Sequence, residues 1–135
     1  MSDKRTDKKS QGTDNRAWGQ EAEQIAAEYY LKDGYTIRER NWRMGHLEID
    51  IILEKDRTIV FVEVKARKPG NQDPIDAVDK SKRRRIINAA DVYMRTLPML
   101  YQYRFDIVTF TGSRDDFKME LYEDAFLPPV NGGRI

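Results

Sequence analysis

The sequence predicts an α/β sandwich in which a central mixed β-sheet is flanked by helices, in the order α-β-β-β-α-β-β. Three observations predict it. Two stretches repeat apolar residues at helical spacing, and three β-type runs follow the first of them in close succession. One of those runs, residues 58–64, is rich in β-branched residues and apolar on both faces until Glu63, the pattern of a strand covered on both sides. Two further alternating runs close the chain.

The first helix is expected over residues 18–31, with Trp18, Ala22, Ile25, Ala26 and Tyr29 as its apolar stripe. Gly34 fits the left-handed position just past a helix C-terminus. Residues 35–42 read as a strand. Leu47, Ile49 and Ile51 then alternate with Glu48, Asp50 and Ile52, and the polar turn 54–57 leads into the strand 58–64. Asp73-Pro74 looks like a helix cap followed by proline at the first helical position, ahead of a main helix at residues 81–96. Ile86, Ala89, Ala90, Tyr93 and Leu97 form its stripe. The last strands are expected at residues 104–110 and 117–122.

With 135 residues the chain has room for one domain with a core. Residues 1–16 are polar and nearly free of apolar side chains, so they are expected to be a disordered tail. The folded domain then spans residues 17–127, and residues 128–135 form a second loose end. The chain has no cysteine, which excludes disulfides and thiolate metal sites. The charged N-terminus is followed by no apolar stretch, and no apolar run approaches the roughly 20 residues that span a bilayer. A cytoplasmic protein without a membrane partner is expected.

Net charge is only +1, from 24 basic and 23 acidic residues, so bulk electrostatics do not announce a nucleic-acid binder. The distribution is uneven, with basic runs at residues 65–68 and 80–85. Such a patch fits either a phosphate-binding surface or a solvated helix face.

The informative segment is Phe61-Val62-Glu63-Val64-Lys65. Residues two apart on a strand share a face, so Glu63 and Lys65 point the same way. If the hairpin pairs Leu53 with Thr58, Asp50 lies opposite Phe61 and Glu48 opposite Glu63. Glu48, Asp50, Glu63 and Lys65 then project to one side, and a one-residue slip would flip the faces. Three acids converging there would be reconciled by a hard dication with oxygen ligands, Mg²⁺ or Mn²⁺. The same spacing also fits an internal ion pair between Glu63 and Lys65, with Asp50 solvated at a strand end.

Asp50 followed by Glu63-Val-Lys65 resembles the D…ExK signature of restriction-endonuclease-like nucleases. More closely, the chain resembles the bacterial YraN-type family, similar in fold to archaeal Holliday-junction resolvases. The matching pieces are Gly19 with Glu23, Gly34-Tyr35 leading to Arg40-Asn41-Trp42-Arg43, and Glu48-Ile49-Asp50. They continue with residues 61–67, Ala77-Val78 leading to Lys82, Ala89-Ala90 with Tyr93, Arg104-Phe105-Asp106 and Ala125-Phe126. Leu47 stands where that family usually has glycine. The resemblance implies a restriction-endonuclease-like fold, metal-dependent cleavage of DNA rather than RNA, and a homodimer. It implies that Asp50 and Glu63 hold the metal, with Glu48 and the Val64 backbone carbonyl completing its shell. Lys65 would serve the nucleophile.

Glu23 matches a first-helix glutamate that approaches the metal in related nucleases, although the helical wheel does not single it out from solvated glutamates. Lys82 lies four residues before Ile86, on the sheet-facing stripe, and is expected to reach toward the carboxylates or a phosphate; Arg84 and Arg85 are expected to point away. The phosphate-contacting set is Lys65, Arg67, Lys68, Lys80, Lys82, Arg83, Arg84 and Arg85. His46 is expected to be a loop residue, and Trp18 and Trp42 packing residues. The alternative to a nuclease is a binding module that keeps the fold without cutting, against which the joint presence of Asp50, Glu63 and Lys65 argues.

Overall fold

The computed structural model describes residues 4–70 and 78–126, with side chains from residue 15 onward. Helix α1 (Lys4–Lys32) leads into three antiparallel strands, β1 (Thr36–Met44), β2 (Leu47–Lys55) and β3 (Thr58–Arg67). Helix α2 (Lys80–Arg95) carries the chain to β4 (Gln102–Ser113), which lies parallel to β3, and β5 (Asp116–Tyr122) pairs antiparallel with β4. The sheet order is therefore the chain order, β1-β2-β3-β4-β5, and it is mixed. A parallel neighbour needs a crossover, and α2 lies within it. The expected α-β-β-β-α-β-β sandwich is the observed one. The segment holding Asp73-Pro74 and the tail at residues 128–135 lie outside the described residues.

The sheet separates two apolar layers. On one face Trp18, Ala22, Ala26 and Tyr30 of α1 cover Ile51, Leu53, Val60, Val62, Val108 and Phe110. On the other, Ile86, Ala89, Ala90 and Tyr93 of α2 cover Ile52, Ile59, Phe61, Phe105 and Ile107. β3 buries both faces, as its composition requires. Trp18 packs edge-on against Phe110, and Trp42 edge-on against Tyr93, so both tryptophans are packing residues.

Three details depart from expectation. The helix extends back to Lys4, through polar residues expected to be a tail; among its residues with described side chains, from 15 onward, Trp18 is the first that is buried. The α1 stripe ends on Tyr30 rather than Tyr29, which is half-exposed, because the buried row follows steps of four from Trp18. The β2–β3 turn is Asp56-Arg57, both at positive φ (51° and 60°), so Lys55 pairs with Thr58 and Leu53 with Val60. That register differs by two residues from the expected one. A shift of two keeps every side chain on its face, and it brings Asp50 level with Glu63 instead of Phe61.

At the far end of α1, Asp106 is fully buried on β4 and accepts from Tyr30 Oη (2.8 Å), from Arg104 Nε (3.0 Å) and from the Asp124 N–H (3.0 Å). Burying a carboxylate is tolerable only with such a full set of donors. This network locks α1 to the sheet and so fixes the frame on which the candidate site is built.

Candidate active site

The site begins with a break in strand alternation. Ile49 and Ile51 are two apart and should share a face, yet Ile51 packs under α1 and Ile49 under α2. On β1 the same reversal separates Arg40, which reaches α1, from Trp42, which packs on the α2 side. Asn41 lies between them at φ 52°, a left-handed conformation that asparagine tolerates better than most residues. The row holding Asn41 and Asp50 is thus the pivot of a local twist in the β1–β2 pair.

The β2–β3 ladder ends at Ile51 and Val62, and beyond it a side chain takes over. The Val64 N–H donates to Asp50 Oδ2 (2.8 Å). Asp50 is thereby held beside Glu63, which is only 3% exposed. Lys82 of α2 reaches across and forms an ion pair with Glu63 Oε1. Glu63 Oε2 is buried with no hydrogen-bond donor upon it among the described residues.

Electrostatics follow from this burial. Desolvation, then the Asp50 charge, pushes Glu63 up to about 8, against the pull of Lys82. Asp50 is also raised, chiefly by desolvation, with the Val64 N–H opposing. On Lys82 burial favours the neutral amine, but the Glu63 charge and hydrogen bond outweigh it, and the ammonium is stabilised. Glu23 on α1 is raised to about 7 by desolvation and then by the Asp50 charge.

These groups open into a cavity of about 310 Å³ lined by His46, Leu47, Glu48, Asp50, Glu63, Lys82, Arg85 and Ile86. Glu48 links it to Glu23 through Asn41. With its amide oriented by the hydrogen-bond network, Asn41 donates to Glu23 Oε1 (3.1 Å) and to Glu48 Oε1 (3.3 Å).

Of the residues expected from sequence, the fold brings together Asp50, Glu63 and Lys82, with Glu48 on the cavity wall and Glu23 behind it. Lys65 shares the Glu63 face by alternation, but its side chain is exposed and lies outside the cavity lining. Lys68, Lys80, Arg84 and Arg85 are exposed. Arg85 does not point away as expected: it lines the cavity, because the flank of α2 next to Lys82 overhangs it. Arg83 is partly buried and structural, donating to the Val78 carbonyl (2.8 Å) and lying over the Phe126 ring. Arg67 donates to Thr111 Oγ1 (3.1 Å). The sequence named Asn41 only within the matching run 40–43, and His46 only as a loop residue, which it is. His46 is an exposed turn residue, and only the fold of the hairpin brings it to the cavity mouth.

The donors are hard oxygens, and the buried, unpartnered Glu63 Oε2 beside Asp50 fits a small dication. Among the described residues no three Asp, Glu or His side chains form one metal-binding cluster. Two carboxylates suffice for Mg²⁺, which keeps several of its waters.

Residues 22–110 match the model of a family described as "Uncharacterised protein family UPF0102". The chain belongs to the UPF0102 family. A UPF0102 protein of Phocaeicola vulgatus is 42% identical over 120 residues, covering 87% of this chain and 98% of that one. A UPF0102 protein of Bacteroides thetaiotaomicron is 41% identical over 113 residues, 83% of this chain and 93% of its own. One from Clostridium perfringens is 40% identical over 117 residues, 83% and 95% respectively. The likeness to UPF0102 proteins thus spans Asp50, Glu63 and Lys82 together with both halves of the sheet. No helix among the described residues is long and apolar enough to cross a membrane.

Proposed function

We propose that this UPF0102 protein is a metal-dependent nuclease that hydrolyses phosphodiester bonds in DNA. The observation that carries the reading is Glu63: a buried carboxylate, one oxygen on Lys82 and the other unpartnered, beside Asp50 at the floor of a polar cavity. A carboxylate pair of this kind is costly to bury for stability alone. It also holds perturbed titrations in a cleft, a common mark of a working site.

Asp50 and Glu63 are the residues that would hold Mg²⁺ or Mn²⁺. Bound there, the ion would polarise a phosphoryl oxygen and acidify a water. Val64 contributes by its N–H, which holds the Asp50 carboxylate in place. Lys82 supplies positive charge at the cavity floor, suited to negative charge developing on a phosphate in the transition state. Arg85 stands at the rim to contact an incoming phosphate. Lys65, Lys68, Lys80 and Arg84 are exposed cations for more distant phosphates. The resolvase-like resemblance adds branched DNA as a substrate class and a homodimer as the working unit.

The test is a cleavage panel of linear, nicked, flapped and four-way DNA with Mg²⁺ and Mn²⁺. One observation favours a second reading, a DNA-binding module that does not cut: Lys82 already neutralises Glu63, so the pair is self-sufficient without an ion.

A further inference from the structure

A second concavity, of about 830 Å³, runs between α1 and β1 on the side of the cavity away from α2. Its lining is polar throughout and includes three arginines, Arg16 from α1 and Arg40 and Arg43 from β1. Glu48 lines both spaces, so the groove borders the cavity.

Two of the guanidiniums have partners within the groove. Arg40 NH1 donates to the neutral amide oxygen of Gln24 (2.6 Å). Arg43 meets Glu48 at 3.4 Å with its side chain 72% exposed, a surface pair of small net value. Asn41 bridges the two acids of the groove, Glu23 and Glu48, and the Arg40 charge also acts on Glu23, so three arginines against two glutamates leave the lining net cationic. The groove exists because of the reversal at Asn41, which turns Arg40 toward α1 while Trp42 goes into the α2 layer. The twist that delivers Asp50 to Glu63 therefore also delivers arginines beside the same cavity.

We propose that this α1–β1 groove binds the sugar-phosphate backbone of the strand that enters the cavity, through Arg16, Arg40 and Arg43. The inference rests on the nuclease reading for the identity of its ligand. Arginine forks match phosphate geometry, and such contacts set register on the strand without reading bases. An acidic protein would meet the same charges, but the groove lies next to the carboxylate cavity, where a nucleic-acid strand with its scissile phosphate at Asp50 and Glu63 would continue.

The test uses the full chain, a fluorescent 20-nucleotide duplex and its single strand, in EDTA so that binding is read without cleavage. Arg40→Ala with Arg43→Ala should weaken binding and lower the slope of log affinity against log salt by about 0.9 per lost contact for duplex, or about 0.7 for single strand. Both side chains are exposed, so the variant should melt like the wild type. Should it not, the chain's lack of cysteine gives an independent route. Gln20→Cys in the groove, carrying a photo-crosslinker, should capture the oligonucleotide, whereas Leu100→Cys, exposed in the loop between α2 and β4, should not. Wild-type binding with an unchanged slope in the variant and equal capture at both cysteines would overturn the groove while leaving nuclease activity standing. Binding that depends on the arginines, without cleavage under Mg²⁺ or Mn²⁺, would support the groove and overturn the nuclease. A wild type that binds neither oligonucleotide overturns the groove outright.

Discussion

Lys82 of α2 forms an ion pair with Glu63 of β3, and Lys65, two residues beyond Glu63 on the same strand face, stays in solvent. The cation at the cavity floor thus comes from the helix and not from the strand. Replacing each lysine separates their roles. Lys82→Met should lower cleavage on the order of 10²–10³-fold, the usual cost of losing one preorganised charge donor. Its melting temperature should fall at high pH, where the buried Glu63 carboxylate loses its partner, and fall least at low pH, where Glu63 takes up a proton instead. Lys65→Met should leave melting unchanged and reduce activity less than Lys82→Met. Cleavage rates and thermal melts of the two variants, side by side, check the assignment; a larger activity loss at Lys65 would return the strand lysine to the centre.

Stability should fall as pH rises in the absence of metal. Glu63 sits near 8 and Glu23 near 7 in the fold, against an ordinary 4.5 for an unfolded glutamate. Their folded pKa values are raised, so the folded protein binds protons that the unfolded chain has released. Their contribution is therefore greatest below about pH 4.5 and is lost as pH climbs to about 8. Glu63→Gln keeps the shape without the titration. Melting curves in EDTA from pH 5 to 9 should show the wild type losing several degrees relative to Glu63→Gln, and parallel curves would refute the raised pKa.

Metal binding should reverse that trend. A dication needs both carboxylates ionised, so its affinity should increase through pH 7–8 and its binding should release a proton. At one hundred times its Kd, Mg²⁺ or Mn²⁺ should stabilise the fold by about 2.7 kcal/mol. Calorimetry in buffers of different ionisation enthalpy reads the proton count. Asp50→Asn and Glu63→Gln should each abolish the heat.

The arginine run on α2 should divide in two. Arg83→Ala removes a charged hydrogen bond to the Val78 carbonyl and should cost roughly 1.5–3 kcal/mol of stability. Arg84→Ala with Arg85→Ala should leave melting unchanged while reducing the salt slope of DNA binding by about 0.9 per contact. Urea denaturation and binding titrations check the division.

How far the site was legible in the sequence depends on which interactions are local. Glu63 and Asp50 could be placed on one face because strand alternation survives a two-residue error in register. The register itself was not legible: Glu54-Lys55-Asp56-Arg57 carries no Asn-Gly or Asp-Gly signal, yet Asp56 and Arg57 both adopt positive φ. Lys82 was legible from the helical stripe, since four residues before Ile86 means the sheet-facing side. That Lys65 stays outside the cavity lining was not legible, because it depends on where α2 crosses the sheet. The part Asn41 plays was not legible for the same kind of reason. Its role arises from a left-handed backbone at the pivot of the β1–β2 twist, and a polar residue in an edge strand gives no sign of that.

The most direct test of the central claim is Mg²⁺- or Mn²⁺-dependent cleavage of the four-way, flapped, nicked and linear DNA panel by the wild type and by Asp50→Asn. The site as built predicts metal-dependent cutting of at least one substrate by the wild type and loss of it in Asp50→Asn, with DNA binding retained. A wild type that cuts nothing with either metal while still binding DNA, or an Asp50→Asn protein that cuts as well as the wild type, would contradict it.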